Sequence, residues 1–213
     1  LDLDMQTAAE EAFAEHALEG AKDSQGITQP QGALVAVEPA TGYVKAMVGG
    51  RDWNESQLNR AYQVKRQPGS AFKIVLYAAV LDQRHPVTEL KVCEPVSYKG
   101  AAAGEEYRPV DYGRRPYHYY PLNIRQALTV SDNVIATKWA EEVDPMTIVS
   151  YARRMGVRSE LAADIPLALG ASDVVPLDMA IAGATLSAGG IRPDPISILR
   201  IEDARGLVIE ENR

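Results

Sequence analysis

The run Arg66-Gln67-Pro68-Gly69-Ser70-Ala71-Phe72-Lys73-Ile74-Val75-Leu76-Tyr77-Ala78-Ala79-Val80-Leu81 decides how the rest of the chain is read. Pro68-Gly69 breaks whatever precedes it. Ile74 to Leu81 is apolar all round and lacks strand punctuation, which predicts a buried helix beginning at Ser70. Ser70 then lies at or beside a helix N-terminus, where the partial positive charge favours a developing alkoxide. Lys73 is one turn deeper on the same face. Desolvation and the helix N-terminus both lower the pKa of a lysine placed there. A neutral lysine can act as the general base that activates a serine. Ser70 and Lys73 are therefore candidate catalytic residues, with Lys73 Nζ expected within direct or nearly direct reach of Ser70 Oγ. The plainer alternative is a capping serine followed by a snorkelling lysine.

Working outward, Ser131-Asp132-Asn133 stands between two apolar segments, Leu122 to Val130 and Val134 to Val143, both predicted helical. Three small polar residues there read most simply as a cap and linker. A hydroxyl and a carboxamide two residues apart on a loop can also enter a cleft together. One would relay a proton and the other would hold a substrate amide. Helices are also expected over Leu3 to Ala21 with Asp4 as cap, Pro145 to Met155, and Pro176 to Ala188. Hairpins are expected for Gly32–Glu38 with Tyr43–Val48, and for Ile196–Glu202 with Leu207–Glu211. Pro86 to Tyr120 reads as irregular. The whole is α+β.

The 213 residues, 46% hydrophobic, suffice for one domain with a real core or two small ones. A net charge of -7 argues against sequence-independent nucleic-acid binding, which needs clustered Lys and Arg. The single cysteine, Cys93, rules out an internal disulfide and reads as a small strand residue. No His pattern near it suggests a catalytic thiol, and zinc-ligand spacing is absent, so neither a metal nor a cofactor is expected. No apolar run approaches the roughly 20 residues that span a bilayer, and no signal-peptide pattern opens the chain. Trp53 and Trp139 read as core or half-buried. The cluster Tyr117, His118, Tyr119, Tyr120 either packs a long loop or lines a cleft.

Ser70-x-x-Lys73 followed by Ser131-Asp132-Asn133 resembles the signature of serine penicillin-recognising enzymes, whose third element is Lys-Thr-Gly. Asn59-Arg60-Ala61, Arg66 to Lys73, Gln126-Ala127-Leu128, Leu169-Gly170-Ala171-Ser172, Pro176-Leu177-Asp178-Met179-Ala180 and Gly189-Gly190 all look like class A penicillin-binding proteins. The resemblance implies a transpeptidase fold with an antiparallel sheet and flanking helices. It implies an enzyme that cross-links peptidoglycan stem peptides ending in D-Ala-D-Ala and is acylated by β-lactams. Ser70 would be the nucleophile and Lys73 its base. Ser131 would pass a proton to the departing amine, and Asn133 would bind a substrate amide. The Ser70 backbone N–H would form half of an oxyanion hole. The place of action would be the extracytoplasmic side of the bacterial membrane, within a longer anchored protein.

Two departures qualify the match. No Lys-Thr-Gly or near equivalent occurs in residues 1–213, nor does a glycosyltransferase module. The expectation is a transpeptidase domain over 1–213 lacking its C-terminal Lys-Thr-Gly strand, which a complementing segment would supply. The hairpin at Gly32 to Val48 should then expose an unpaired edge. D,D-carboxypeptidase activity shares the same acyl-enzyme, and a non-catalytic sensor or scaffold of the same fold is the alternative of another class. Glu55-Ser56-Gln57-Leu58-Asn59 imitates the deacylation loop of class A β-lactamases, but it precedes Ser70, the wrong order for that role.

Overall fold

The computed structural model describes residues 1–100, 105–113 and 115–212. Its first half carries α1 (Leu3–His16), β1 (Leu34–Val37), β2 (Val44–Val48), a 3-10 turn at Gly69–Phe72 and α2 (Lys73–Asp82). Short strands follow: β3 (Leu90–Val92), β4 (Tyr98–Lys99), β5 (Glu106–Tyr107) and β6 (Pro121–Asn123). Then come α3 (Ile124–Thr129), α4 (Asn133–Val143), α5 (Pro145–Arg154), a second 3-10 turn (Ile165–Leu169), α6 (Pro176–Ser187), β7 (Arg200–Glu202) and β8 (Val208–Glu211). The chain divides into two compact units.

One unit comprises Leu1–Arg66, Met155–Ser159 and Val174–Arg213. The expected first hairpin forms, with β1 and β2 antiparallel in a register running from Leu34 opposite Val48 to Val37 opposite Val44. Its turn requires Gly42, whose φ is +76° and where a Cβ would sit 2.0 Å from the Asp194 carbonyl oxygen. Alternate residues of β2 are buried, and Ala46 and Val48 join Ala9 of α1 in a small core flanked by Phe13, Leu34 and Ala36. α1 starts at Leu3 as expected, but its cap and its end differ. Asp2, not Asp4, is the cap and accepts from the Met5 N–H, and the helix stops at His16, short of Ala21.

The outer edge of β2 is covered by the chain's beginning. Asp2 N donates to Lys45 O, and the Gln6 amide clamps Met47, accepting its N–H at 2.8 Å and donating to its carbonyl at 3.0 Å. Among the described residues β1 has a ladder partner on one side only. Leu177 N donates to Ala61 O, and Arg66 exchanges two backbone bonds with Val174, so three of the quoted sequence strings meet here. β7 and β8 form the second expected hairpin. Trp53 is 66% exposed, contrary to its expected place in or near a core, because it falls in a surface loop after β2 with no strand to turn it inward.

The other unit comprises Gln67–Arg154 and Glu160–Asp173. Its core is α2, packed by Phe72, Val75, Leu76, Ala79 and Val80, together with the fully buried Trp139, Ile135 and Val134 of α4. Here the apolar-all-round reading of α2 holds. Leu122 belongs to β6 and not to a helix, because Asn123 starts α3 with a capping box closed by Gln126. The supposedly irregular stretch 86–120 contains three strands of two or three residues, too short to show alternation; its residues 101–104 and 114 lie outside the described residues.

Candidate active site

Ser70 lies in the 3-10 turn that leads into α2 and is exposed. Gly69 precedes it with φ +56°, a conformation favouring glycine. The turn is pressed against Gly170, where an added Cβ would lie 2.3 Å from Gly69 O and 2.5 Å from Gly69 N. Gln67 Nε2 adds a bond to Ala171 O at 3.0 Å. The string Leu169-Gly170-Ala171 thus fixes the backbone on which Ser70 stands.

Lys73 opens α2 and is fully buried. An ammonium group has three donors and no acceptor. All three find partners: Ser131 O at 2.7 Å, Ser131 Oγ at 3.0 Å and Asn133 Oδ1 at 2.7 Å. Burial lowers its pKa from 10.5 to about 8, against the opposing charges of Asp132 and Asp111. Ser131 and Asn133, about sixty residues away in sequence, therefore reach the same point as Lys73. Ser70 Oγ is not among the lysine's hydrogen-bond partners, although Ser70 and Lys73 are one turn apart as the spacing requires.

Ser131 is placed by a strained turn. α3 ends in a Schellman motif, with Asp132 N donating to Ala127 O at 2.9 Å and Ser131 N to Leu128 O at 3.1 Å. Ser131 occupies its left-handed position at φ +57°, where glycine is usual. Such a residue costs on the order of 1–3 kcal/mol and persists where its surroundings impose it. Asp132 then caps α4, accepting from Ile135 N at 2.6 Å. Asn133 is less free than a substrate-binding carboxamide would be. Its Oδ1 accepts a hydrogen bond from Lys73 Nζ, and its Nδ2 donates to Val110 O at 2.9 Å.

Sequence reading singled out Ser70, Lys73, Ser131 and Asn133 but missed a layer beneath them. The Asn133 N–H donates to Asp111 Oδ1 at 2.7 Å, whose other oxygen accepts from Cys93 Sγ. Asp132 Oδ2 meets His118 Nε2 at 2.9 Å, and the His118 ring lies 3.7 Å from that of Tyr120. Cys93 sits just past β3 and is buried, which pushes its thiol up to about 12. No local pattern joins Cys93, Asp111, His118 and Asp132; the middle residue of Ser131-Asp132-Asn133 was the available clue. Of the aromatic cluster, Tyr119 and Tyr120 are exposed and His118 is drawn inward. Glu55, in the imitation β-lactamase loop, is tied to Lys22 and Thr28, which holds its carboxyl down to about 2.

A serine at a helix start, a buried lysine one turn on and a Ser-x-Asn loop beside it thus stand together, and the comparisons with known proteins give the family. The chain belongs to the penicillin binding protein transpeptidase domain family, whose model matches residues 32–211. It is 37% identical over 213 residues to penicillin-binding protein 2D of Bacillus subtilis (strain 168), covering 100% of this chain and 30% of that protein. It is 32% identical over 184 residues to penicillin-binding protein 1A of Pseudomonas aeruginosa, covering 86% of this chain and 22% of that protein. The chain thus spans under a third of the length of these relatives. Among solved structures, penicillin-binding protein 1A from Haemophilus influenzae superposes with a TM-score of 0.77 at 29% identity, over 90% of this chain and 29% of that one. The PonA1 protein from Mycobacterium tuberculosis in complex with penicillin V gives a TM-score of 0.82 over 99% of this chain and 56% of that one, at 24% identity, a likeness of fold. The expected α+β transpeptidase fold and the resemblance to penicillin-binding proteins both hold.

Proposed function

We propose that the chain is the nucleophile-bearing part of a D-Ala-D-Ala transpeptidase that works through an acyl-enzyme on Ser70. The observation that carries this reading is the complete occupation of buried Lys73 Nζ by Ser131 and Asn133. With a pKa near 8, roughly a tenth of Lys73 is neutral at pH 7. A neutral amine has one donor fewer and gains a lone pair. Ser131 O and Asn133 Oδ1 can only accept, so the Ser131 hydroxyl is the partner able to reverse and donate to nitrogen. Lys73 and Ser131 thus make a two-member proton chain.

In the proposed reaction the Ser70 Oγ proton passes to Lys73 and Oγ attacks the carbonyl carbon of the penultimate D-Ala. The tetrahedral intermediate collapses when the departing D-Ala amine receives a proton from Lys73 through Ser131, leaving an ester on Ser70. The amine of a second stem peptide then attacks that ester and restores Ser70. A β-lactam opens at the same step, and its ester persists. Asn133, tied to Lys73 and Val110, acts first by holding the lysine. The setting would be the extracytoplasmic side of the membrane, as part of an anchored protein. No helix among the described residues is long and apolar enough to cross a membrane. The Lys-Thr-Gly strand would come from a segment outside residues 1–213. The one-sided β1 edge supports this reading.

Labelling with a fluorescent penicillin tests this. Ser70-dependent labelling is expected to be weak for the 213-residue chain and brisk when a C-terminal piece bearing Lys-Thr-Gly is present. Loss of one oxyanion donor alone is worth about 10²–10³ in rate. Brisk labelling of the lone chain overturns the shared-cleft reading. Labelling that survives Ser70→Ala overturns the assignment of the nucleophile.

A further inference from the structure

Four donor atoms of three chemical kinds meet under the Ser131–Asn133 loop. Cys93, Asp111, His118 and Asp132 each offer one ligand atom, all within 4.8 Å of one another. Cys93 is fully buried and Asp132 is 2% exposed. Each carboxylate spends one oxygen on the start of α4: Asp111 Oδ1 accepts from Asn133 N, and Asp132 Oδ1 from Ile135 N. Their second oxygens face the cluster. Asp111 Oδ2 lies 3.1 Å from Cys93 Sγ, and Asp132 Oδ2 lies 2.9 Å from His118 Nε2. The His118 backbone N–H also bonds the Cys93 sulfur. The outer contacts that orient metal ligands are therefore already made.

We propose that Cys93, Asp111, His118 and Asp132 form a binding site for one zinc-type divalent cation directly beneath the Ser131–Asn133 loop. One thiolate, one imidazole and two carboxylates supply four ligands of the sulfur, nitrogen and oxygen kinds that zinc takes in tetrahedral sites. Ligand bonds of about 2.0–2.3 Å put tetrahedral neighbours roughly 3.3–3.7 Å apart, so the widest separations would close by about 1–1.5 Å while the hydrogen-bonded pairs open slightly. Two protons now hold it together, the thiol proton toward Asp111 and the Nε2 proton toward Asp132. Binding releases the thiol proton to solvent, and the imidazole carries its proton on Nδ1. The 3.3 Å bond from Tyr120 N to Nδ1 is then given up, and that exposed residue's N–H turns to water. The ion would tie Cys93 after β3, Asp111, His118 and the residue between Ser131 and Asn133 into one body. A second grouping, His85, Glu89 and Glu142, is already filled by a cation, since Lys91 Nζ pairs with both glutamates. The site stands on this cluster alone and does not depend on the acyl-transfer reading.

The test is metal analysis of the chain purified without chelator, zinc competition against a chromogenic chelator, and cobalt substitution. One zinc per chain is expected. The cobalt form should show a thiolate-to-cobalt charge-transfer band and the intense visible bands of tetrahedral coordination. Cys93→Ser should lose the thiolate band, and both Cys93→Ser and His118→Gln should weaken zinc binding by roughly 100-fold or more, beyond what an outer partner is worth. A folded wild-type chain that retains no zinc and gives no thiolate band overturns the proposal and leaves a plain hydrogen-bond network. So does unchanged zinc binding in both variants. If the variants do not fold, the cobalt spectrum of the wild-type chain decides.

Discussion

If Lys73 is the base, acylation of Ser70 must follow its titration. The lysine is fully buried, and the gap between 10.5 and about 8 corresponds to about 3 kcal/mol against the charged form. Below pH 8 the neutral fraction falls about tenfold per pH unit, to roughly a hundredth at pH 6. The second-order rate of labelling by a fluorescent penicillin, measured on the chain with its complementing piece between pH 5.5 and 9.5, should rise with unit slope and level off above about 8. Lys73→Arg keeps a cation that cannot deprotonate and should lose both the rise and on the order of 10²–10⁴ in rate. The same group fixes a trend in stability. Between about 8 and 10.5 the unfolded chain binds the lysine proton and the folded chain does not, so this group's contribution to stability rises with pH across that window. Its full penalty is present below pH 8. Denaturant melts of Ser70→Ala, with and without Lys73→Met, isolate that contribution. A labelling rate flat from pH 6 to 9, or a rate that Lys73→Arg leaves intact, refutes the reasoning.

Ser131→Gly should be more stable than Ser131→Ala by about 1 kcal/mol, because both lose the Oγ bond to Lys73 but glycine accepts the left-handed position without penalty, and both should lose acylation equally; paired denaturant melts and penicillin labelling separate the two effects. Gly170→Ala drives a methyl into the Gly69 backbone and should slow Ser70 labelling at least tenfold while lowering stability by about 1–3 kcal/mol; wild-type labelling in this variant would show that Gly170 does not hold the nucleophile turn. Gln6→Ala frees the Met47 N–H and carbonyl on the β2 edge and should cost about 1–2 kcal/mol in a denaturant melt, whereas Gln6→Glu keeps the acceptor and should lose less.

Local physics was enough for much of this protein. The apolar run after Pro68-Gly69-Ser70 could only be a buried helix, and that alone set Lys73 one turn from Ser70. Strong turn and cap residues also placed the β1–β2 hairpin and helices α3 to α6 within a few residues. The cap of α1, Asp2 for Asp4, and the start of α3, after Asn123 and not at Leu122, differ from the reading because a cap is chosen by the hydrogen bond its side chain makes in the fold. The short strands between 86 and 120 left no periodic trace, since two or three residues cannot display alternation. What the tertiary structure alone decided is the convergence of the site. Lys73 meets Ser131 and Asn133 because burial strips its ammonium of water and the α3–α4 junction supplies three oxygens. Ser131 bends into a glycine's conformation to supply two of them. Cys93, Asp111 and His118 lie on separate segments, and no spacing announces them. They gather beside Asp132 because carboxylates drawn inward must be met by donors from wherever the chain passes, His118 for Asp132 and Cys93 for Asp111.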